Sequence, residues 1–229
     1  MGSFDFDVIA RSWPYLFYEG MRFTLELTLI ATLGGIAIGT ALALMRLSGV
    51  RALSVFATGY TTLFRSLPLV LVIFWCYFLL PYVGAWISGA ERPVKVGAWN
   101  STVITFTLFE AAFFAEIMRA GIQSIPKGQA AAGYALGLTY AQVMGEVILP
   151  QAFRNMLPVL LTQTIVLFQD TSLVYVISLT DFLGAASKVA QRDGRLVEMY
   201  AFAALVYFVI SFAASLLVRR LQAQLTPSR

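Results

Sequence analysis

The chain has 229 residues, of which 59% are hydrophobic and only 12% charged, with a formal net charge of +4 and a mean hydropathy of +0.78. Soluble domains carry about 25% charged and about 45–50% apolar residues, and a fold of this size could not hide so much apolar surface from water, so the composition implies an integral membrane protein. There is no histidine and one cysteine, Cys76, which excludes Ser–His and Cys–His catalysis, His-ligated metals and an intrachain disulfide.

The positive balance fits cytoplasmic loops better than a nucleic-acid surface. Asp5 and Asp7 stand where a signal peptide would need a basic region, so none is expected. A spanning helix needs about 20 mostly apolar residues, and five would use about 100.

In chain order, Thr24–Met45 reads as the first span, with one charge, Glu26, expected to snorkel at the outer end. It carries Gly35-x-x-x-Gly39, which either admits a neighbouring helix closely or reflects the general abundance of glycine in membrane helices. Leu53–Phe64 is apolar but broken by polar residues and closed by Arg65. It is expected either to lie along the inner interface or to extend the next helix. Leu67–Val83 reads as the second span with Pro68 in its first turn, where a missing N–H does least harm. Gly97–Gly121 is the third, with Glu110, Glu116 and Arg119 in its second half.

Residues 123–151 are Ala-rich and Gly-punctuated, and read as short helices outside the hydrocarbon. Lys127 and Gly128 suit a loop before the first of them, Gly137 a C′ position with positive φ, and Pro150 the end of the second. Small residues on the exposed face of such a helix-turn-helix would make a docking knob for another protein; an ordinary loop is the plainer alternative. Phe153–Leu179 is a fourth membrane segment, interrupted at Pro158 and at Gln169, Asp170, Thr171 and Ser172. Such a break is tolerated where it lines protein or a cavity. Met199–Val218 is the last span, stopped by Arg219 and Arg220. The expectation is one transmembrane domain over 1–229, with 123–151 as a cytoplasmic segment.

Alternate loops hold nine Lys/Arg, ending with Arg229, against seven on the other side, but the acids fall one against seven. The bias favours an outer N-terminus, an inner C-terminus and a cytoplasmic 119–154. The four acids within or beside spans must face protein or water. Glu116 and Arg119, three apart on one helix, can pair, as a structural contact or as part of an inner gate. Asp170 is expected to find a cation or donor, with Gln169, Thr171 and Ser172 either lining a pathway or serving structure; Glu110 is read the same way. Arg65 is either an exit-gate cation or a positive-inside anchor.

The segment Gly128, Gln129, then Ala131-Ala132-Gly133, Gly137 and, after nine residues, Val147-Ile-Leu149-Pro150 resembles the EAA signature of membrane subunits of ATP-binding-cassette (ABC) importers. Ala132, Gly137, Leu149 and Pro150 match, Val147 replaces Ile conservatively, and Ala131 stands where the signature has Glu. Phe64-Arg-Ser-Leu-Pro68, Glu116-Ile-Met-Arg-Ala-Gly121, Leu149-Pro-Gln-Ala-Phe-Arg154 and Asp170-Thr-Ser-Leu173 extend the resemblance to the polar amino-acid branch. The run from Ile165 to Val176, with Asp181-Phe182 and Arg192-Asp-Gly194, is similar to the glutamate/aspartate importer permease.

The resemblance implies an all-α, type I (MetI-like) importer permease of about five transmembrane helices with a cytoplasmic coupling helix, in the bacterial inner membrane. It implies as partners a second permease subunit, heterodimeric by preference, two ATP-binding subunits and a periplasmic amino-acid-binding protein. ATP and Mg would be held by the ATPase subunits. This chain has no Gly-x₄-Gly-Lys-Ser/Thr loop of its own. A secondary transporter or channel subunit would share the composition but leave the 123–151 segment unexplained. An intramembrane enzyme is disfavoured by the missing His and the missing paired-aspartate motif.

Overall fold

The structure, a computed structural model, describes residues 4–225. Arg229, counted above among the inner cations, lies outside them. The described residues are helical, without strands. Helix α1 (Asp7–Tyr15), a π turn (Leu16–Met21) and α2 (Arg22–Leu47) form one continuous rod of 41 residues. At 1.5 Å per residue the rod is about 60 Å long, twice the hydrocarbon thickness of about 30 Å. The amphipathic α1 therefore projects beyond the bilayer core. Then follow α3 (Arg51–Arg65), α4 (Leu69–Ser88), α5 (Ala98–Gln123), α6 (Lys127–Ala135) and α7 (Tyr140–Gln142). A π turn (Val143–Ile148), α8 (Leu149–Asp170), a 3₁₀ stretch (Thr171–Ile177), α9 (Phe182–Asp193) and α10 (Leu196–Leu225) complete the chain. Five helical segments are long and apolar enough to span: 7–47, 69–88, 98–123, 140–177 and 196–225.

Helix α5 is the centre of the bundle. In its most apolar stretch 61% of residues are buried, against 17% for α4 and 11% for α10, which leaves the last two facing lipid or another subunit. Helix α2 lies along α5 for much of its length. A Cβ on Gly39 would sit 3.0 Å from the Ala111 carbonyl oxygen and the Ala115 nitrogen, and one on Gly35 would press on Phe114 and Glu110. The Gly35/Gly39 pair is thus a contact surface, where dispersion between closely packed backbones replaces the hydrophobic effect that lipid cannot supply. Leu27, Ile73, Phe106, Phe109, Leu167 and Val174 fill a separate core cluster shared by α2, α4, α5, α8 and the 3₁₀ stretch.

Several boundaries differ from expectation. Pro68 is the N-cap of α4 and not a first-turn residue. Helix α3 is separate from α4 and carries its apolar residues on one face. Pro150 does not end a helix: the rod from Tyr140 runs through it into α8. The π turn just before it widens the backbone, which leaves room for the ring where the regular ladder would need the N–H that proline lacks. Pro158 is likewise accommodated inside α8. The polar break begins only at Thr171, so Gln169 and Asp170 are still helical.

Helix α9, 12 residues long and polar on one side, has neither the length nor the hydropathy of a span. The Asp181 side chain caps it, accepting from the Leu183 N–H at 2.9 Å and the Gly184 N–H at 3.0 Å. Helix α9 seats against the first π turn, where a Cβ on Gly20 would meet Ala185 at 2.8 Å.

Candidate functional site

Helix α6 stands at the end of the bundle where α5 stops and the rod 140–177 begins. It starts at Lys127, so Lys127 and Gly128 form its first turn and not a preceding loop; Pro126 caps it with extended backbone. It ends in a Schellman motif. The Leu138 N–H donates to the Gly133 carbonyl at 3.1 Å, the Gly137 N–H donates to the Tyr134 carbonyl at 3.0 Å, and Gly137 has φ +79. Thr139 and Gln142 then form a capping box that starts the next helix.

Lys127, Gly128, Gln129, Ala131, Ala132 and Gly137 are exposed, as are Leu149 and Pro150; Val147 is partly buried. Gly133 is the exception, being buried: its α-carbon faces Val143, whose Cγ2 lies 2.9 Å from where a Cβ would stand. This contact fixes α6 against the π turn and leaves the opposite face open. Three large side chains not singled out from the sequence share that open region: Tyr134, Tyr140 and Leu136, the last 81% exposed. Their apolar character beside a helix-ending glycine was the available signal.

Above this knob, four charges converge from three helices. Glu116 of α5 receives Arg119 of its own helix at 2.8 Å, Arg46 from the end of α2, and Arg65 from the end of α3 at 3.8 Å. Arg65 also lies over the Phe113 ring, 5.7 Å from its centroid. Arg46 reaches Thr61 at 3.4 Å, and Arg119 bonds Gln123. The expected Glu116–Arg119 pair is therefore one edge of a cluster with three guanidiniums and one carboxylate.

Deeper in α5, Glu110 is fully buried. The Gln163 amide of α8 donates to its Oε2 at 3.1 Å, while Oε1 has no partner among the described residues. The expected partner of Asp170 is absent: among the described residues no cation or donor bonds its carboxylate. Gln169 and Ser172 line a cavity of about 410 Å³ against Tyr200, Tyr207 and Ser211 of α10. Thr171 turns inward, fully buried, and donates to the Phe168 carbonyl at 2.7 Å. The tetrad is thus split between cavity wall and core, because Gln169 and Ser172, three residues apart, share one helix face while Thr171 points to another.

Residues 35–227 match the family described as binding-protein-dependent transport system inner membrane component. The chain is 51% identical over 222 residues to the glutamate/aspartate import permease protein GltK of Escherichia coli O6:H1, covering 97% of this chain and 98% of that protein. It is 33% identical over 213 residues to the probable glutamine ABC transporter permease protein GlnM of Bacillus subtilis, covering 93% and 94%. Among solved structures, an amino acid ABC transporter with histidines aligns with a TM-score of 0.85 at 31% identity, over 97% of this chain and 100% of that one. The inward-facing MetNI methionine ABC transporter aligns with a TM-score of 0.74 at 17% identity, over 99% and 100%, a likeness of fold.

Proposed function

The chain belongs to the inner membrane components of binding-protein-dependent transport systems, and from that premise we propose that it forms one half of the pore of an ATP-driven importer of glutamate and aspartate. Its fold is that of the type I importer permeases. The observation that carries the substrate is 51% identity with a glutamate/aspartate permease across nearly the whole of both chains.

In this reading residues 123–151 are the coupling segment, and α6 docks into a groove on a separate ATPase subunit, one per pore half. The exposed Gly128, Gln129, Ala131 and Ala132 would let the two surfaces approach, with Tyr134 and Leu136 as apolar anchors. Gly133 would act from behind by seating α6 on Val143. The rod from Val147 through Leu149 and Pro150 is continuous with α8, so a push on α6, passed across the Gly133–Val143 contact, would be carried along the rod to Gln163, Gln169 and Asp170. Arg46, Arg65, Glu116 and Arg119 would close the inner end of the pathway, and Glu110, Gln169, Asp170 and Ser172 would line it higher up. A second permease chain would complete the pore, a binding protein would deliver substrate from outside, and ATP and Mg would be bound by the ATPase chains alone. The N-terminus would be periplasmic and the C-terminus cytoplasmic, as the charge bias favours.

The test is glutamate uptake by proteoliposomes holding the purified complex and its binding protein. Uptake is expected to need ATP and to stop with vanadate. Uptake that survives vanadate and collapses with an uncoupler would replace this reading with an ion-driven carrier. Gly137→Trp is expected to abolish copurification of the ATPase while the chain still inserts, because the side chain would project from the knob's tip; normal copurification would refute the docking assignment.

A further inference from the structure

A second cavity lies at the α6 end of the bundle, on the outside of the helix packing. It measures about 490 Å³ and opens between the first turns of α8 and the last turns of α10. Ser124, Arg154, Asn155 and Gln222 stand toward the end of the helices with the apolar Leu225 beside them, and Pro158, Val159 and Thr162 lie one to two turns further into the span. The cavity therefore has its cation and amides at the membrane surface and an apolar wall of Pro158 and Val159 within, over about 7–12 Å along α8.

Among the described residues no acidic side chain lines it. Arg154 is exposed and has no ion pair among the described residues, and the same holds for Arg219 and Arg220 on α10. Arg219 lies one turn before Gln222 on the same helix face. Asn155 donates one amide hydrogen to the Ser124 hydroxyl at 2.8 Å, and that hydroxyl donates to the Gly121 carbonyl at 2.7 Å. The Arg154 guanidinium and the second Asn155 N–H remain, both donors, in a pocket whose α10 wall belongs to the least buried span. We propose that this cavity is a site for an anionic phospholipid, with the headgroup phosphate on Arg154 and Asn155 and an acyl chain against Pro158 and Val159. A basic pocket between helices at the membrane surface matches such a ligand in charge, and its apolar floor distinguishes it from a site for free phosphate. The site depends on where the spans end and on neither the substrate nor the ATPase docking.

The test measures association of spin-labelled phosphatidylglycerol and phosphatidylcholine with the purified complex. Phosphatidylglycerol is expected to be preferred, and Arg154→Gln to reduce that preference about fivefold. Val159→Trp, which fills the cavity and keeps the charge, should reduce it likewise, while Arg51→Gln, an exposed cation on α3, should leave it unchanged. Equal retention of the two lipids, an unaltered preference in both cavity variants, or full displacement by inorganic phosphate would overturn the proposal. So would loss of the second permease or the ATPase from Arg154→Gln with lipid selectivity intact, which would assign the cavity to a protein contact.

Discussion

Glu116 holds three arginines that would otherwise repel one another at the ends of α2, α3 and α5. Its side chain and that of Arg46 are each only 17% exposed, so water screens the cluster incompletely. Glu116→Ala is expected to destabilise the chain by about 1–3 kcal/mol, less than a fully buried pair because Arg65 is half exposed. Thermal unfolding in detergent checks this, and the deficit should shrink in high salt, which screens the remaining like charges. A deficit unchanged by salt would reassign Glu116 to packing alone.

Asp181 is a second residue whose environment sets its chemistry. Burial pushes its carboxyl up to about 6, even though the Gly184 and Leu183 N–H groups and Tyr207 bond to it and pull the other way. Its folded value therefore lies above the unfolded one. The folded chain keeps a proton that the unfolded chain releases, so this contribution is complete below about pH 4, declines as pH rises to about 6 and is flat above. The span of that decline is about 2–3 kcal/mol. Asp181→Asn should keep one of the two cap bonds, lowering stability at every pH, and lose the slope; an identical pH dependence in both proteins would refute the assignment.

At the scale of elements, the α2–α5 pair shows why small residues were legible and their purpose was not. The Gly35-x-x-x-Gly39 spacing stood in the sequence with two readings, and only the partner helix decides between them. Gly39→Leu would drive a side chain into backbone atoms of Ala111 and Ala115 that cannot move independently. The expected cost is about 1–3 kcal/mol, read as a lower unfolding temperature. Gly59, which faces open space, should accept alanine without such a penalty. The prolines teach the converse lesson. Pro150 and Pro158 looked like helix breaks because proline removes a donor and clashes with the preceding turn. The π turn that accommodates Pro150 is a backbone adjustment with no residue signature of its own. Gly137 was legible, since a glycine between an Ala-rich helix and a Thr N-cap has few other uses, and the Schellman bonds are where it was expected.

For the whole molecule, five candidate spans each crossing once would put the two ends of the described chain on opposite sides of the membrane, with α6 on the side of the C-terminal end. In a Cys76→Ser background, Glu91→Cys in the α4–α5 loop is expected to react with an impermeant maleimide in intact spheroplasts. Ser48→Cys at the end of α2 is expected to react only after permeabilisation. The reverse pattern would invert the proposed orientation and remove α6 from the ATPase side.

The class of this protein, its five candidate spans and the turn chemistry of the 123–151 segment, which we propose to dock the ATPase, were legible in the residues alone. Those follow from hydropathy, length and local turn chemistry, which act over a few neighbouring residues. The sequence also located the acids that a membrane makes costly. Tertiary structure alone decided where those acids point. It gathered Arg46 and Arg65 onto Glu116 from residues 70 and 51 positions away, set Gln163 against Glu110, left Asp170 without a cation or donor among the described residues, and turned Gly133 inward while its neighbours face out. Helix rotation and register choose such partners, and in lipid both are set by close packing between helices, a property of two surfaces together that no single stretch of sequence contains.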